Sequence, residues 1–445
     1  MLFRAVIHVT LAMLALLVSL APAPQQPALL TLRTAESLFA AGELTAAETA
    51  FRDANAQLPH NTYPRQRLAA LYLRWNRPTD GLAVWETTPD GDPFLYLQLL
   101  AAAAKWDALE AATQEYLKRA PTDESAYALL TQALLYQSRC PEAASVAAAW
   151  EQHARTDAAG SNAAGSNAAL TAAILRYTAD PDTPEPAICV LDQDLCAATQ
   201  TCTGAAQCLQ QLGESLLRRQ RPELAACTLA QAIARAPENA AAHAWLGVAL
   251  EQIGSVDAAL PHFRRATTLA PDSALGWLLL GLTQLNRQNI AEAYEALLRA
   301  QALDPGNPAP CLAMAGVLAA RGDYANIPIW TVAALERAPE DPEIWKATAR
   351  FYLARNLALE DEPLHAAAGA VQLAPEDAEA WMLLGWAQFN AKDFDAALTT
   401  LQTALTYDAR HSEAHHLLGL TLQALGRHAE AQDALTRAQD LGYQW

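Results

Sequence analysis

The chain has 445 residues, a 52% hydrophobic fraction rich in alanine, and 48 acidic against 30 basic side chains, for a net charge of −18. That length exceeds one ordinary globular core, so several domains or one elongated array are expected. The acidic balance argues against nucleic acid, whose binding neutralises phosphates with Lys and Arg, and against docking of the protein body on anionic lipid. Scarce β-branched runs favour helix throughout.

The N-terminus, MLFRAVIHVTLAMLALLVSLAPAPQQ, carries one early charge, Arg4, before an uncharged and mostly apolar run from Ala5 to Ala21. Residues 1–24 therefore read as a secretory signal peptide or an N-terminal membrane anchor. Ala21-Pro22-Ala23 has the small residues a signal peptidase reads, but Pro24 would follow the cut and disfavours it, so removal and retention both stay open. In either case the positive flank stays inside. The rest of the chain is then exported: periplasmic, extracellular, or anchored to the cytoplasmic membrane and facing outward.

Residues 28–155 read as four helix hairpins. Residues 28–61 have Gly42 at a turn, Ala47, Phe51 and Ala54 on a second helix, and Pro59 as a stop. Residues 62–89 are degenerate, with Leu68, Tyr72 and Trp85 in place but a short second helix, and 90–121 keep the plan without its small residues. Residues 122–155 return to form with Tyr127, Leu130, Leu134 and Ala143.

Over 156–205 the period fails. AAGSNAAGSN, from Ala158 to Asn167, is a tandem duplication of a kind that reads as a flexible link. One helix is expected over Ala168 to Thr178 before PDTPEP breaks it. Cys189, Cys196, Cys202 and Cys208 follow, four of the seven cysteines. Their gaps lack the close pairs of a zinc site, and in an exported chain they are disulfide candidates with three connectivities open. Cys140, Cys227 and Cys311 sit on separate repeats and are read as small buried hydrophobes.

From 206 to 445 a fixed period takes over. Leu246-Gly247 returns as Leu280-Gly281, Ala259 as Ala293, Ala266 as Ala300 and Pro271 as Pro305, each 34 residues on. Seven such units follow one another: 206–239, 240–273, 274–307, 308–341, 342–377, 378–411 and 412–445, the fifth two residues longer in its turn. Trp277, Trp345 and Trp381 share one position with His243, Cys311 and His415. Gly213, Gly247, Gly281, Gly385 and Gly419 share another. A small residue lets the neighbouring helix come close, large ones such as Trp277 and Phe263 fill the gap between helices, and proline stops the second helix. A single unit of this size cannot bury its own apolar face, so the units must stack.

This pattern resembles the tetratricopeptide repeat, over nearly all of 28–61 and 122–155 and all of 206–445. The resemblance implies an all-α protein: an α-solenoid of antiparallel helix hairpins, a superhelix in two arrays separated by an irregular cysteine-containing insert. It implies a scaffold that binds another protein or a peptide. In this family the first helix of each unit lines the concave face. Carried onto this sequence, those positions are Leu275, Leu278, Leu282 and Leu285 in the third unit and Met382, Trp386 and Phe389 in the sixth. Glu343, Lys346 and Arg350 of the fifth unit form a charged step between them. Members that grip acidic chaperone tails use Lys, Asn and Arg here. Gln210, Glu214, Ala244, Val248, Leu278 and Leu282 depart from that, so no such clamp is expected. Family members often end in an extra polar helix, whereas here Leu435, Leu441, Tyr443 and Trp445 have no following repeat to pack on. Either the tail folds back or two chains share the edge as a homodimer.

No phosphate-binding glycine loop, nucleophile elbow or metalloprotease helix motif occurs, so neither catalysis nor a cofactor is expected. His411, His415 and His416 cluster, but His415 occupies the packing position that neighbouring units give to Trp, and no metal is expected there. The reading is a non-catalytic interaction scaffold on the outer side of the cytoplasmic membrane, touching the membrane only through its N-terminal segment. The alternative is an accessory or regulatory subunit of an enzyme complex acting on envelope or secreted polymers.

Overall fold

The computed structural model describes residues 26–87, 91–156, 163–181, 188, 192–200, 204–357 and 361–443. Among the described residues it holds 24 α-helices, one 3-10 turn and no strand. The chain forms two compact units. One runs up to Ala103 and resumes at Ala338; the other is Ala104–Arg337. The proposed signal or anchor at 1–24 lies outside the described residues, and no described helix is long and apolar enough to cross a membrane.

The first unit opens with α1 (Gln26–Ala41), α2 (Leu44–Gln57), α3 (Tyr63–Arg74), α4 (Pro78–Trp85) and α5 (Pro93–Ala102). The second unit holds α6 (Trp106–Arg119), α7 (Glu124–Tyr136), α8 (Cys140–Thr156), α9 (Ala163–Ala179), α10 (Gln193–Gln200), α11 (Ala205–Arg218) and α12 (Pro222–Arg235). It continues with α13 (Ala240–Gln252), α14 (Val256–Leu269), α15 (Ala274–Asn286), α16 (Ile290–Leu303), α17 (Ala309–Arg321) and α18 (Ile327–Arg337). The first unit then resumes with α19 (Pro342–Ala354), α20 (Glu362–Leu373), α21 (Ala378–Asn390), α22 (Phe394–Tyr407), α23 (Ser412–Ala424) and α24 (His428–Asp440).

The hairpins turn through one residue of positive φ each: Gly42, Asn76, Ser138, Gln220, Gly254, Gln288, Gly322, Asn356, Lys392 and Gly426. Six of these are not glycine, each at a cost of about 1–2 kcal/mol that the packed helices on either side offset. The small position in the first helix does what the sequence implies. A Cβ added at Gly247 would sit 2.5 Å from the Phe263 ring, and one at Gly281 would sit 2.6 Å from Leu297 Cγ. The shared Trp position does more than fill space. The indole N–H groups of Trp277, Trp345 and Trp381 donate to the carbonyls of Pro271, Pro339 and Pro375 at 2.9, 3.0 and 2.8 Å. Each thereby satisfies a carbonyl just past the preceding helix, six residues upstream, where no intrahelical donor remains.

Of the tract expected to be a flexible link, residues 158–162 lie outside the described residues. α9 begins at Ala163, inside the duplicated tract. Its Ala172, Ala173, Ile174 and Leu175 enter one core with Leu209, Leu212, Leu216 and Leu224. α9 thus contains the helix expected over Ala168 to Thr178 and extends it back into the duplicated tract. The cysteine reading also needs correction. Cys140 and Cys227 are not separate buried hydrophobes but form a disulfide, Cα to Cα 5.9 Å, closing 87 residues between α8 and α12. Cys196 and Cys208 are both disulfide-bonded, Cys189 and Cys202 lie outside the described residues, and Cys311 is free and buried.

In the first unit the bidentate pair of Arg67 with the buried Glu36, at 2.6 and 2.8 Å, ties α3 to α1. The same unit answers the question of the last repeat. α24 packs against α2, the Trp75 indole donates to the Gln439 carbonyl, and Tyr443 folds back to stack on His416 with ring centroids 4.3 Å apart. Leu435 is buried. The C-terminal edge is therefore not open for a second copy to share, because the chain's own first hairpins cover it. Trp445 lies outside the described residues.

Candidate interaction surfaces

On α15 the four leucines expected to line the concave face divide by helix geometry. Leu275 and Leu282, seven residues apart and so on one face, are 39% and 37% exposed. Leu278 is only 8% exposed and Leu285 half-buried, both in a cluster with Leu297, Met314 and Val317. The stripe expected to line a groove is thus half exposed and half packed between helices.

The fifth position of the first helix explains the split. It holds Ala244, Leu278, Lys346, Met382 and His416 in five units, all buried. This position faces the neighbouring first helix, as shown by contacts of α13 with α15, α15 with α17, α19 with α21 and α21 with α23. Met382, at 0% exposure, is packed among Ala349, Leu383 and Leu401. Leu278, Lys346 and Met382, expected as partner contacts, are instead buried. Trp386 and Phe389 remain half-buried, Trp386 against that same cluster and Phe389 against Phe394 at 5.5 Å between ring centroids.

The charged step is spoken for within the chain. Lys346 Nζ lies 2.8, 2.7 and 3.2 Å from Glu343, Asp377 and Glu379. Arg350 reaches Glu379 at 2.9 Å and Glu413 at 3.3 Å. Burial by itself would lower the Lys346 pKa, but its hydrogen bonds to Asp377, Glu343 and Glu379 outweigh it and hold the ammonium above the ordinary lysine range. Burial would raise Asp377 and Glu379, and bonds from Lys346 and Arg350 instead bring both below theirs. A buried lysine needs such partners, since an unpaired charge away from water is costly. The result is a ladder across three successive first helices. Its four carboxylates exceed its two cations, leaving this face acidic. The sequence pattern singled out Glu343 with the two cations but not the acceptors in the following units, Asp377, Glu379 and Glu413. The signal was a glutamate at the second position of three consecutive units, Glu343, Glu379 and Glu413.

Also unforeseen is a cavity of about 560 Å3 in the first unit, beside the docked C-terminal hairpin. Trp75, Arg77, Glu48, Asp80 and Tyr443 line it, and Arg77 pairs with Asp80 at 2.6 Å.

The sequence pattern of the tetratricopeptide repeat family matches residues 211–274, 254–308, 364–420 and 412–441. Peroxisome biogenesis protein 5 of Arabidopsis thaliana is 30% identical over 138 residues, which cover 30% of this chain and 18% of that protein's length. Among solved structures, yeast Tom70 aligns over 94% of this chain and 93% of its own at 12% identity and a TM-score of 0.41. PilW, a type IV pilus biogenesis factor, aligns over 50% of this chain and all of its own at 20% identity and a TM-score of 0.43.

Proposed function

We propose that this chain, which carries tetratricopeptide repeats over residues 211–308 and 364–441, is a protein-interaction scaffold whose second unit captures an apolar helix or extended segment of another protein on the first-helix face of α15. The observation that carries this is the pair Leu275 and Leu282, exposed two turns apart on one face of a helix whose other leucines are packed away. Singly exposed leucines are ordinary, but two in register offer anchor points for a partner's apolar side chains. In the first unit the half-open Trp386 and Phe389 supply aromatic anchors beside the acidic ladder. A partner there carries apolar residues flanked by Lys or Arg, and an acidic tail is disfavoured because Lys346 and Arg350 are already paired.

We further propose that the chain works in an oxidising compartment, exported by its N-terminal segment. The Cys140–Cys227 bridge and the disulfide-bonded Cys196 and Cys208 support this reading, since such bonds persist outside the reducing cytosol. Crosslinking in the native host, followed by capture with wild-type protein and with a Leu275→Ser/Leu282→Ser variant, tests the first proposal. Loss of one crosslinked partner in the variant is expected, and identical crosslinks from both proteins would refute it. Cell fractionation tests the second: recovery of the chain in the cytosolic fraction with free thiols rules it out.

A further inference from the structure

Among the regular repeats first helices pack on first helices, as α13 does on α15, but α7 is met by α9, from the insert, and by α12. A cavity of about 360 Å3 lies among these helices. Its lining is polar where a repeat core is apolar. Thr131 of α7, Trp150 of α8, Thr171 of α9 and Glu223 of α12 border it, at 2, 7, 4 and 8% exposure. Cavities that stay empty are apolar, so four polar side chains more than nine-tenths buried around one void mark a space with polar contents. The Trp150 indole N–H is buried and has no acceptor among the described residues. Arg221 donates through Nε to Oε1 of Glu223 at 2.6 Å, which leaves Oε2 to accept from whatever enters. We propose that this cavity binds an uncharged, polyhydroxylated small molecule of monosaccharide size, with Trp150 Nε1 donating to it and Glu223 Oε2 accepting from it.

The charges select the class of ligand. Glu223 is matched by Arg221, so an ammonium or a carboxylate that enters finds no unmatched partner and loses its hydration. An apolar molecule would leave the Trp150 N–H and Glu223 Oε2 unbonded. A hydroxyl both donates and accepts, so neighbouring hydroxyls of one molecule take the indole hydrogen and give one to the carboxylate. Thr131 donates to the Tyr127 carbonyl at 2.9 Å and keeps its lone pairs for a third. The volume fits as well. Small-ligand sites begin at about 300 Å3, so a single sugar ring suits this one.

Two features hold the lining in place before anything binds. The Cys140–Cys227 bridge joins α8 to α12, the helices that carry Trp150 and Glu223. Tyr136, also on the wall, stacks on Trp106 with ring centroids 4.1 Å apart. Burial and then the Glu223 charge push the Tyr136 phenol above its ordinary value, so it stays protonated and polar without adding charge. A lining fixed in this way spends less of its binding energy on ordering.

The cavity stands apart from the α15 face. NMR titration of the full-length, disulfide-intact protein, labelled with 15N at tryptophan, tests the proposal. D-glucose, D-galactose and D-mannose are the probes, and L-glutamine and D-gluconate the charged controls. At least one sugar is expected to shift the indole N–H signal that is missing from Trp150→Phe, with a Kd below about 10 mM. Glu223→Gln should bind that sugar at least about tenfold more weakly, because its amide offers a donor where Oε2 accepted. Glu142→Gln, at an exposed position of α8, keeps the wild-type affinity. Saturation transfer from wild type to the sugars reads binding without any variant having to fold. Water alone in the cavity would leave the Trp150 signal in place. That result up to about 50 mM sugar, equal affinity in wild type and Glu223→Gln, or an equal shift by a charged control would overturn the proposal.

Discussion

The Asp440 carboxylate accepts two hydrogen bonds from Thr45, one from its backbone N–H and one from its hydroxyl, both at 2.8 Å. Thr45 lies in the first turn of α2, where backbone N–H groups have no intrahelical acceptor. The residue before that helix, Glu43, makes no side-chain cap bond. Asp440 thus caps α2 from a position 395 residues away in sequence, and its charge suits the positive end of the helix.

Asp440→Ala should lower stability by about 1–2 kcal/mol, the scale of a lost cap. Hydrogen exchange should quicken both at the start of α2 and along α24, because the two elements hold each other. Faster exchange confined to one of them would show that the cap does not couple the hairpins.

Removing the Cys140–Cys227 bridge by a double serine substitution should cost roughly 2–5 kcal/mol, since it closes an 87-residue loop. Urea unfolding of oxidised protein and of the variant measures the difference. Peptide mapping without reduction should recover the two cysteines as one linked pair.

Leucines on one helix should part company when truncated. Leu278→Ala, like Met382→Ala, removes packed methylenes and should cost about 2–5 kcal/mol. Leu275→Ser with Leu282→Ser should change stability by less than about 1 kcal/mol. Thermal melts of the three variants decide, and a large loss from the Leu275 and Leu282 pair would make them core.

Gly385→Ala ought to stabilise an ordinary helix by about 1 kcal/mol. Here the added Cβ would sit 2.6 Å from Leu401 Cγ, so overpacking should win and destabilise by about 1–3 kcal/mol. An increase in melting temperature would mean that α21 and α22 can move apart freely.

Acid should weaken the fold in two stages. Burial holds His243, His262, His415 and His416 below their ordinary 6.5. The unfolded chain then binds more protons, so stability that is full above pH 6.5 is lost as pH falls through the lowered folded values. Asp377 and Glu379 are likewise lowered, from 3.8 and 4.5, and add a second loss below that range. Urea midpoints at about pH 8, 6 and 5 should fall in that order. A midpoint that rises on going below pH 6.5 would contradict this.

Sequence alone determined the unit. A 34-residue step linking Leu246-Gly247 to Leu280-Gly281 and Pro271 to Pro305 encodes helix, turn and helix locally, because small residues, apolar spacing and helix stops act within one hairpin. It also located the short helix after Trp75. It did not reveal the left-handed turn residues, since Gln288 and Lys392 adopt that conformation only because the helices around them leave no other path. Nor could it tell Leu275 from Leu278, because one faces solvent and the other faces a neighbouring first helix that repeat stacking supplies. The tertiary structure alone decided the long-range pairs: Cys140 with Cys227, Lys346 with Asp377, and Thr45 with Asp440. The partners in each pair lie in different hairpins, so no local period or spacing can announce them; the stacking of the units brings them within bonding distance.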